Sequence, residues 1–232
     1  MSGAVTYRLD GGVATIVMDD GKANALSPDM LSQLDDALTR AEEDGATLVL
    51  HGRQDLFSAG FDLRVLGAGG AEAVQMLRAG FELSHRMLSF PRPIVIACTG
   101  HAVAMGAFLL LSADYRIGVA GGNHRVSVNE VAIGLTLPRA AVEICRQRLT
   151  PAHFHLATNL AEDYTHERAV EAGFLDQVVA PEELLPAAAS TAARLASLGD
   201  VAHAATKART RGPALEALRQ AIDADSRDLD AL

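Results

Sequence analysis

Cysteine is scarce. Cys98 and Cys145 are the only two in 232 residues, with no CxxC spacing, which argues against a disulfide framework and against a cysteine zinc site. Both are expected to be buried structural thiols, since free cysteine packs like a small hydrophobe. Basic residues are also in deficit: 20 Lys and Arg stand against 29 Asp and Glu, a formal net charge of -9. Neither nucleic acid nor an anionic membrane surface is therefore expected as the main partner. No apolar run approaches the roughly 18 residues of a membrane span. The start MSGAVTYRLDG lacks an apolar stretch behind basic residues, so a cytoplasmic location is the expectation. What is plentiful is apolar residue, 49% of the chain, enough for a well-formed core.

Alternating runs Val5 to Leu9 and Val13 to Met18, separated by Asp10-Gly11-Gly12, predict a β-hairpin. Ser27-Pro28 is an N-cap with proline at the first helical position, and Met30, Leu31, Leu34 and Leu38 follow at helical spacing. A strand from Thr47 to His51 runs into the loop QDLFSAGFDL, and periodicity predicts a helix over 71–88. PIVIACTG reads as one strand covered on both faces, GHAVAMGAFLLLSAD turns into a buried helix, and DYRIGVA and residues 126–128 are further strands. Strands alternating with helices predict an α/β core of repeated ββα units. After Pro138 the pattern is helical, interrupted by one strand at 175–179, with helices over 182–198 and from Pro213 to the end. The expected organisation is one domain, a core over 1–180 with a C-terminal helical region over 181–232.

Two loops place small residues after a strand and before a helix, where backbone N–H groups are unspent and can face a negative charge. They are Ser58-Ala59-Gly60-Phe61-Asp62-Leu63 and Thr99 to Ala107, which leads into Phe108. Either alone has a bland explanation in tight packing. Together they resemble the crotonase (enoyl-CoA hydratase/isomerase) family: SAGFDL is similar to its AGADL-type loop and PIVIACTGHAVAMGA to its P-V-I-A-x-x-G-x-A-x-G-G-G segment. KANAL at 22–26, ADYRI at 113–117, NEVAIGL at 129–135 and AVEAGFLDQVV at 169–179 are similar as well.

The resemblance implies a crotonase (ClpP-like) fold of ββα units and an acyl-CoA substrate. Its oxyanion hole is made by the N–H groups of Phe61 and Met105. Lys22, Ala23 and Ala25 of KANAL, with Ala59, Gly60, Asp62 and Leu63, line the coenzyme A site, and Gly106, Phe108 and Asn129 complete the substrate pocket. Coenzyme A enters as the substrate thioester; no separate cofactor and no metal are expected. Family members form trimers or pairs of trimers, so a homotrimer or dimer of trimers is the expected assembly.

Family hydratases use two glutamates. The first of those positions is Phe108 here, which cannot carry a proton, and the second is Glu130. One carboxylate beside an oxyanion hole suits removal of a proton from one carbon and its return two carbons along, and the family's 3-enoyl-CoA to 2-enoyl-CoA isomerases look similar at both points. Glu130 is thus the expected shuttle, its pKa raised by apolar Val131, Ile133 and Leu135 around it. A hydratase working through Glu130 alone and a non-catalytic acyl-CoA binder are the alternatives. Asp62 is expected mainly to fix its loop, His101 to be packed and hydrogen-bonded, and Lys22 and Arg64 are candidate phosphate contacts. His153 and His155 lack metal-ligand spacing, and Ser58 lacks a G-x-S-x-G elbow.

Overall fold

The computed structural model describes residues 3–230. The hairpin forms as the turn glycines predict: β1 (Val5–Asp10) pairs antiparallel with β2 (Val13–Met18). Ser27 caps α1 (Pro28–Glu43) by accepting from the Met30 N–H, and β3 (Thr47–His51) lies parallel to β2. Next come β4 (Asp55–Ser58), α2 (Leu63–Ala68), α3 (Gly70–Ser89), β5 (Ile94–Cys98), β6 (Gly100–Val103), α4 (Met105–Leu111), β7 (Tyr115–Val119) and β8 (Val126–Ser127). The remainder is α5 (Arg139–Arg146), α6 (Pro151–Leu160), β9 (Asp163–Tyr164), α7 (His166–Ala172), β10 (Gln177–Val179), α8 (Leu184–Ala196) and α9 (Asp200–Asp230).

The strands sort into two sheets. β1-β2-β3-β5-β7-β10 form the larger, parallel except for β1, and β4-β6-β8-β9 the smaller, in which β4, β6 and β8 run parallel. Each pair β3/β4, β5/β6 and β7/β8 gives one strand to each sheet and is followed by helix, which is the expected ββα repeat. In the larger sheet successive side chains point to opposite faces. Leu48, Leu50, Ile94 and Ile96 join the main core with α1, α3 and α4, while Val49, Val95, Ala97, Ile117 and Val119 face Leu184, Ala188 and Ala192 of α8.

Four local readings are corrected. PIVIACTG is two strands: the chain leaves the larger sheet after Cys98 and enters the smaller at Gly100, and the apolar run continues across the break, so hydropathy does not mark it. The loop QDLFSAGFDL contains β4, and α2 follows it. The last helix begins at Asp200 and runs through Pro213. Finally, position 180 is no boundary of the core, because α8 packs across β2, β3, β5 and β7 on one face of the larger sheet. α9 packs on α3 and α5, with Leu218 and Ile222 buried in the main core and Lys207 Nζ 2.7 Å from Asp114. Among the described residues no helix is long and apolar enough to cross a membrane, and Cys98 and Cys145 are both buried and free.

Candidate active site

The three parallel strands of the smaller sheet aim their carboxyl ends in one direction. β4 delivers Ala59-Gly60-Phe61, β6 delivers Ala104-Met105, and β8 delivers Asn129-Glu130. Three segments distant in sequence thereby lie side by side, with the β6 end about one interstrand spacing of 4.8 Å from each of the other two.

The first two segments interlock. Gly60 has φ +94°, open to glycine at little cost. A Cβ there would sit 2.9 Å from the Ala104 Cβ, 3.0 Å from the Val103 carbonyl and 3.4 Å from the Met105 nitrogen. The Ala104 N–H donates to the Ser127 carbonyl at 2.9 Å. Its own backbone, at φ 51° and ψ -123°, is a glycine-type conformation imposed on a residue with a side chain, of a kind that costs about 1–3 kcal/mol. That turn begins α4 at Met105. Among the described residues, neither the Phe61 N–H nor the Met105 N–H donates a hydrogen bond. Two fixed, unspent donors beside a buried apolar wall can hold an oxygen on which negative charge develops.

The segment carrying Lys22, Ala23 and Ala25 lies alongside. The Ala59 N–H donates to the Ala23 carbonyl (3.1 Å) and the Leu26 N–H to the Gly60 carbonyl (2.8 Å). Asn24, to which sequence reasoning gave no role, and Ser58, weighed there only as a nucleophile, brace the junction. Asn24 adopts φ 45° and its amide donates to the carbonyls of Met18 and Phe57; the Ser58 hydroxyl donates to the Asn24 carbonyl and accepts from the Gly60 N–H. Asparagine's tolerance of the left-handed region was the one available signal. Lys22 is exposed, and Arg53 donates to its backbone carbonyl.

Asp62 caps α2, accepting from the Arg64 N–H at 2.9 Å, and pairs with the Arg64 guanidinium at 2.8 Å. That hydrogen bond holds its carboxyl below the ordinary aspartate range and commits it to the loop. Leu63 is 72% exposed. Gly106 and Phe108 are buried in α4, and Phe108 packs on Phe81, which packs edge-on against Phe61 (centroids 6.2 and 6.1 Å). His101 sits at the far end of β6 from Met105, accepting from the Arg125 N–H, so it takes no part in this site.

Glu130 is 8% exposed and its Oε2 is buried without a hydrogen-bond partner. Burial without a partner penalises the charged form and raises its pKa to about 7. The cause differs from the expectation. Val131, Ile133 and Leu135 point outward at 45%, 56% and 51% exposure, because the chain makes a 3-10 turn over Val131–Ile133 and Gly134 then adopts φ 80°. Buried Cys145 of α5 is near enough for the charge on Glu130 to help raise the thiol's pKa. Asn129 also leaves its Oδ1 buried and unpartnered. Among the described residues no group of three or more His, Cys, Asp or Glu could hold a metal ion.

The family model of enoyl-CoA hydratase/isomerase matches residues 8–232. The crystal structure of an enoyl-CoA hydratase from Mycobacterium marinum is 47% identical with a TM-score of 0.94, covering 98% of this chain and 100% of that one. A Mycobacterium tuberculosis protein, described as an enoyl-CoA isomerase in one structure and as a probable enoyl-CoA hydratase in another, is 46% identical with a TM-score of 0.93 in the first, covering 98% of this chain and 99% of that one. Among curated relatives, the probable enoyl-CoA hydratase EchA17 of Mycobacterium tuberculosis is 28% identical over 204 residues, 86% of this chain and 77% of that protein.

Proposed function

The chain belongs to the enoyl-CoA hydratase/isomerase (crotonase) family, and from that premise we propose that it shifts the double bond of a 3-enoyl-CoA to the 2-position, with Glu130 as the single proton carrier. The observation that carries this reading is that Glu130, just beyond the end of β8, is a buried carboxylate with an unpartnered Oε2, while the position that matches the family's first glutamate is Phe108. The thioester oxygen accepts from the N–H groups of Phe61 and Met105. The Glu130 carboxylate takes a proton from C2, and the C–H electron pair becomes the C1–C2 double bond of a dienolate whose oxygen holds the charge. The same carboxyl returns the proton to C4, which regenerates the carbonyl and leaves the double bond between C2 and C3. No proton is gained or lost overall.

Each part has a physical basis in the site. Two fixed donors lower the barrier to the dienolate, and losing one such donor typically costs about 2.7–4 kcal/mol. A carboxyl with a pKa near 7 is a base strong enough to remove the proton and an acid strong enough to return it. Phe108 and Phe81 keep the neighbourhood apolar, and hydration needs a held water that two rings do not offer. Similarity to the human mitochondrial delta3-delta2-enoyl-CoA isomerase, 26% identical with a TM-score of 0.91, supports this reading, while similarity to hydratases makes hydration the outcome to test against it. A homotrimer or dimer of trimers belongs to the same proposal and is read by sedimentation.

The test offers the protein 3-enoyl-CoA and 2-enoyl-CoA separately, following conjugation of the first and hydration of the second. Conjugation without hydration is expected. Hydration at a comparable rate overturns the one-base mechanism in favour of a Glu130 hydratase, and tight binding with neither reaction favours an acyl-CoA binder.

A further inference from the structure

Gly80 lies buried inside α3, where glycine is a poor helix former, so its presence calls for a reason in packing. A Cβ built on it would lie 2.6 Å from both Cε1 and Cζ of Phe61 and 3.4 Å from Cε of Met105. These are the side chains of the two residues whose N–H groups stand unspent. The bare Gly80 backbone is therefore the seat on which both rest. Phe81, the next residue of the helix, meets the Phe61 ring edge-on at 6.1 Å and 74°, so the ring is confined by two consecutive residues of α3. Phe61 follows Gly60, whose φ of +94° marks the most permissive backbone in the loop. The peptide that carries the Phe61 N–H is held at its oxygen by the Leu26 N–H, 2.8 Å from the Gly60 carbonyl, and the Phe61 side chain's seat on α3 holds it on the other side.

We propose that Gly80 is a positioning residue of the oxyanion hole: its missing side chain sets where the Phe61 ring rests and thereby where the Phe61 N–H points. This rests on the reading that the N–H groups of Phe61 and Met105 receive the thioester oxygen.

The experiment compares wild type, Gly80→Ala, Phe61→Leu and the double variant. Leucine keeps an apolar side chain but has no Cε1 or Cζ, so it removes the atoms that an alanine at 80 would strike. One readout is kcat and KM for 3-enoyl-CoA. The other is the ultraviolet absorbance of the enolate formed when acetoacetyl-CoA binds, which reports the hole without turnover. Gly80→Ala is expected to lower kcat about 100-fold, the scale of a misplaced catalytic group, with KM nearly unchanged and a weaker enolate signal. Adding Phe61→Leu restores kcat to within about threefold of Phe61→Leu alone. If Gly80→Ala does not fold, a double variant that folds and turns over supports the seat, and a double variant that also fails to fold overturns it. Wild-type kcat and enolate signal in Gly80→Ala, or a double variant as slow as Gly80→Ala, also overturn it. Absence of the enolate signal in the wild type removes the hole itself, and this inference with it.

Discussion

Glu130→Gln keeps the shape of the side chain and removes its charge, and it makes a thermodynamic and a kinetic prediction from one structural fact. Glu130 is nearly inaccessible, its Oε2 has no partner, and its pKa is raised from 4.5 to about 7. In the unfolded chain the same carboxyl ionises near its ordinary value. Between these two values the folded state binds more protons than the unfolded one, so stability falls as pH rises through this window. The interval corresponds to about 3 kcal/mol, fully lost once pH exceeds the folded pKa. Glutamine does not titrate, so the melting temperature of Glu130→Gln minus that of the wild type should increase from pH 4.5 to 8. For a chain of this size the increase is about 6–12 °C. Any constant cost of burying the amide shifts the whole difference without changing its slope. The kinetic counterpart is that kcat/KM of the wild type rises with pH to a plateau above about 7, and that Glu130→Gln loses about 10²–10⁴-fold in conjugation rate. A melting-temperature difference that is flat across this range would refute the buried, titrating carboxyl. An unchanged conjugation rate would remove it from the reaction.

Other perturbations probe the remaining parts of the site and its support. Phe108→Glu installs a second acid where Phe108 now packs on Phe81; the folded variant is expected to gain hydration of 2-enoyl-CoA and to melt lower, because a buried ring is replaced by a polar group. A folded variant without added hydration would show that Phe108 is not what withholds that activity. Ala104→Gly relieves the φ 51°, ψ -123° backbone and should stabilise by about 1 kcal/mol net of the greater freedom of the unfolded chain, seen as a higher melting temperature; a fall would mean that no strain is stored there. Arg116 is 1% exposed, pairs twice with Asp176 and donates to the Gly173 carbonyl, so Arg116→Ala should cost about 3–5 kcal/mol in urea unfolding. A loss below about 1 kcal/mol, the scale of a surface ion pair, would mean that this clamp between β7 and the segment before β10 is not structural.

Much of this protein was determined locally. The hairpin at Asp10-Gly11-Gly12, the Ser27 cap, and the strands at 13–18, 47–51 and 115–119 follow from turn chemistry, capping and alternation, which act over a few residues. The ββα order followed from the same signals in series. The two loops that carry Phe61 and Met105 were identifiable because their small residues and spacing survive in the primary structure, and the resemblance named Glu130 on the same basis. Local pattern did not reveal β4, nor the division of PIVIACTG, because a strand's sheet is chosen by its neighbours and not by its own hydropathy. It misjudged the surroundings of Glu130 for a similar reason: Val131, Ile133 and Leu135 are apolar, but a 3-10 turn directs them outward, and buried Cys145 of α5 lies near the carboxyl instead. The helical pattern after Pro181 was set apart from the core, yet α8 packs against the larger sheet. Only the tertiary structure brought Gly60 against Ala104, through the ends of parallel strands, and set Phe61 and Met105 against Gly80, through the packing of α3 on those ends, because those contacts join residues that are far apart along the chain.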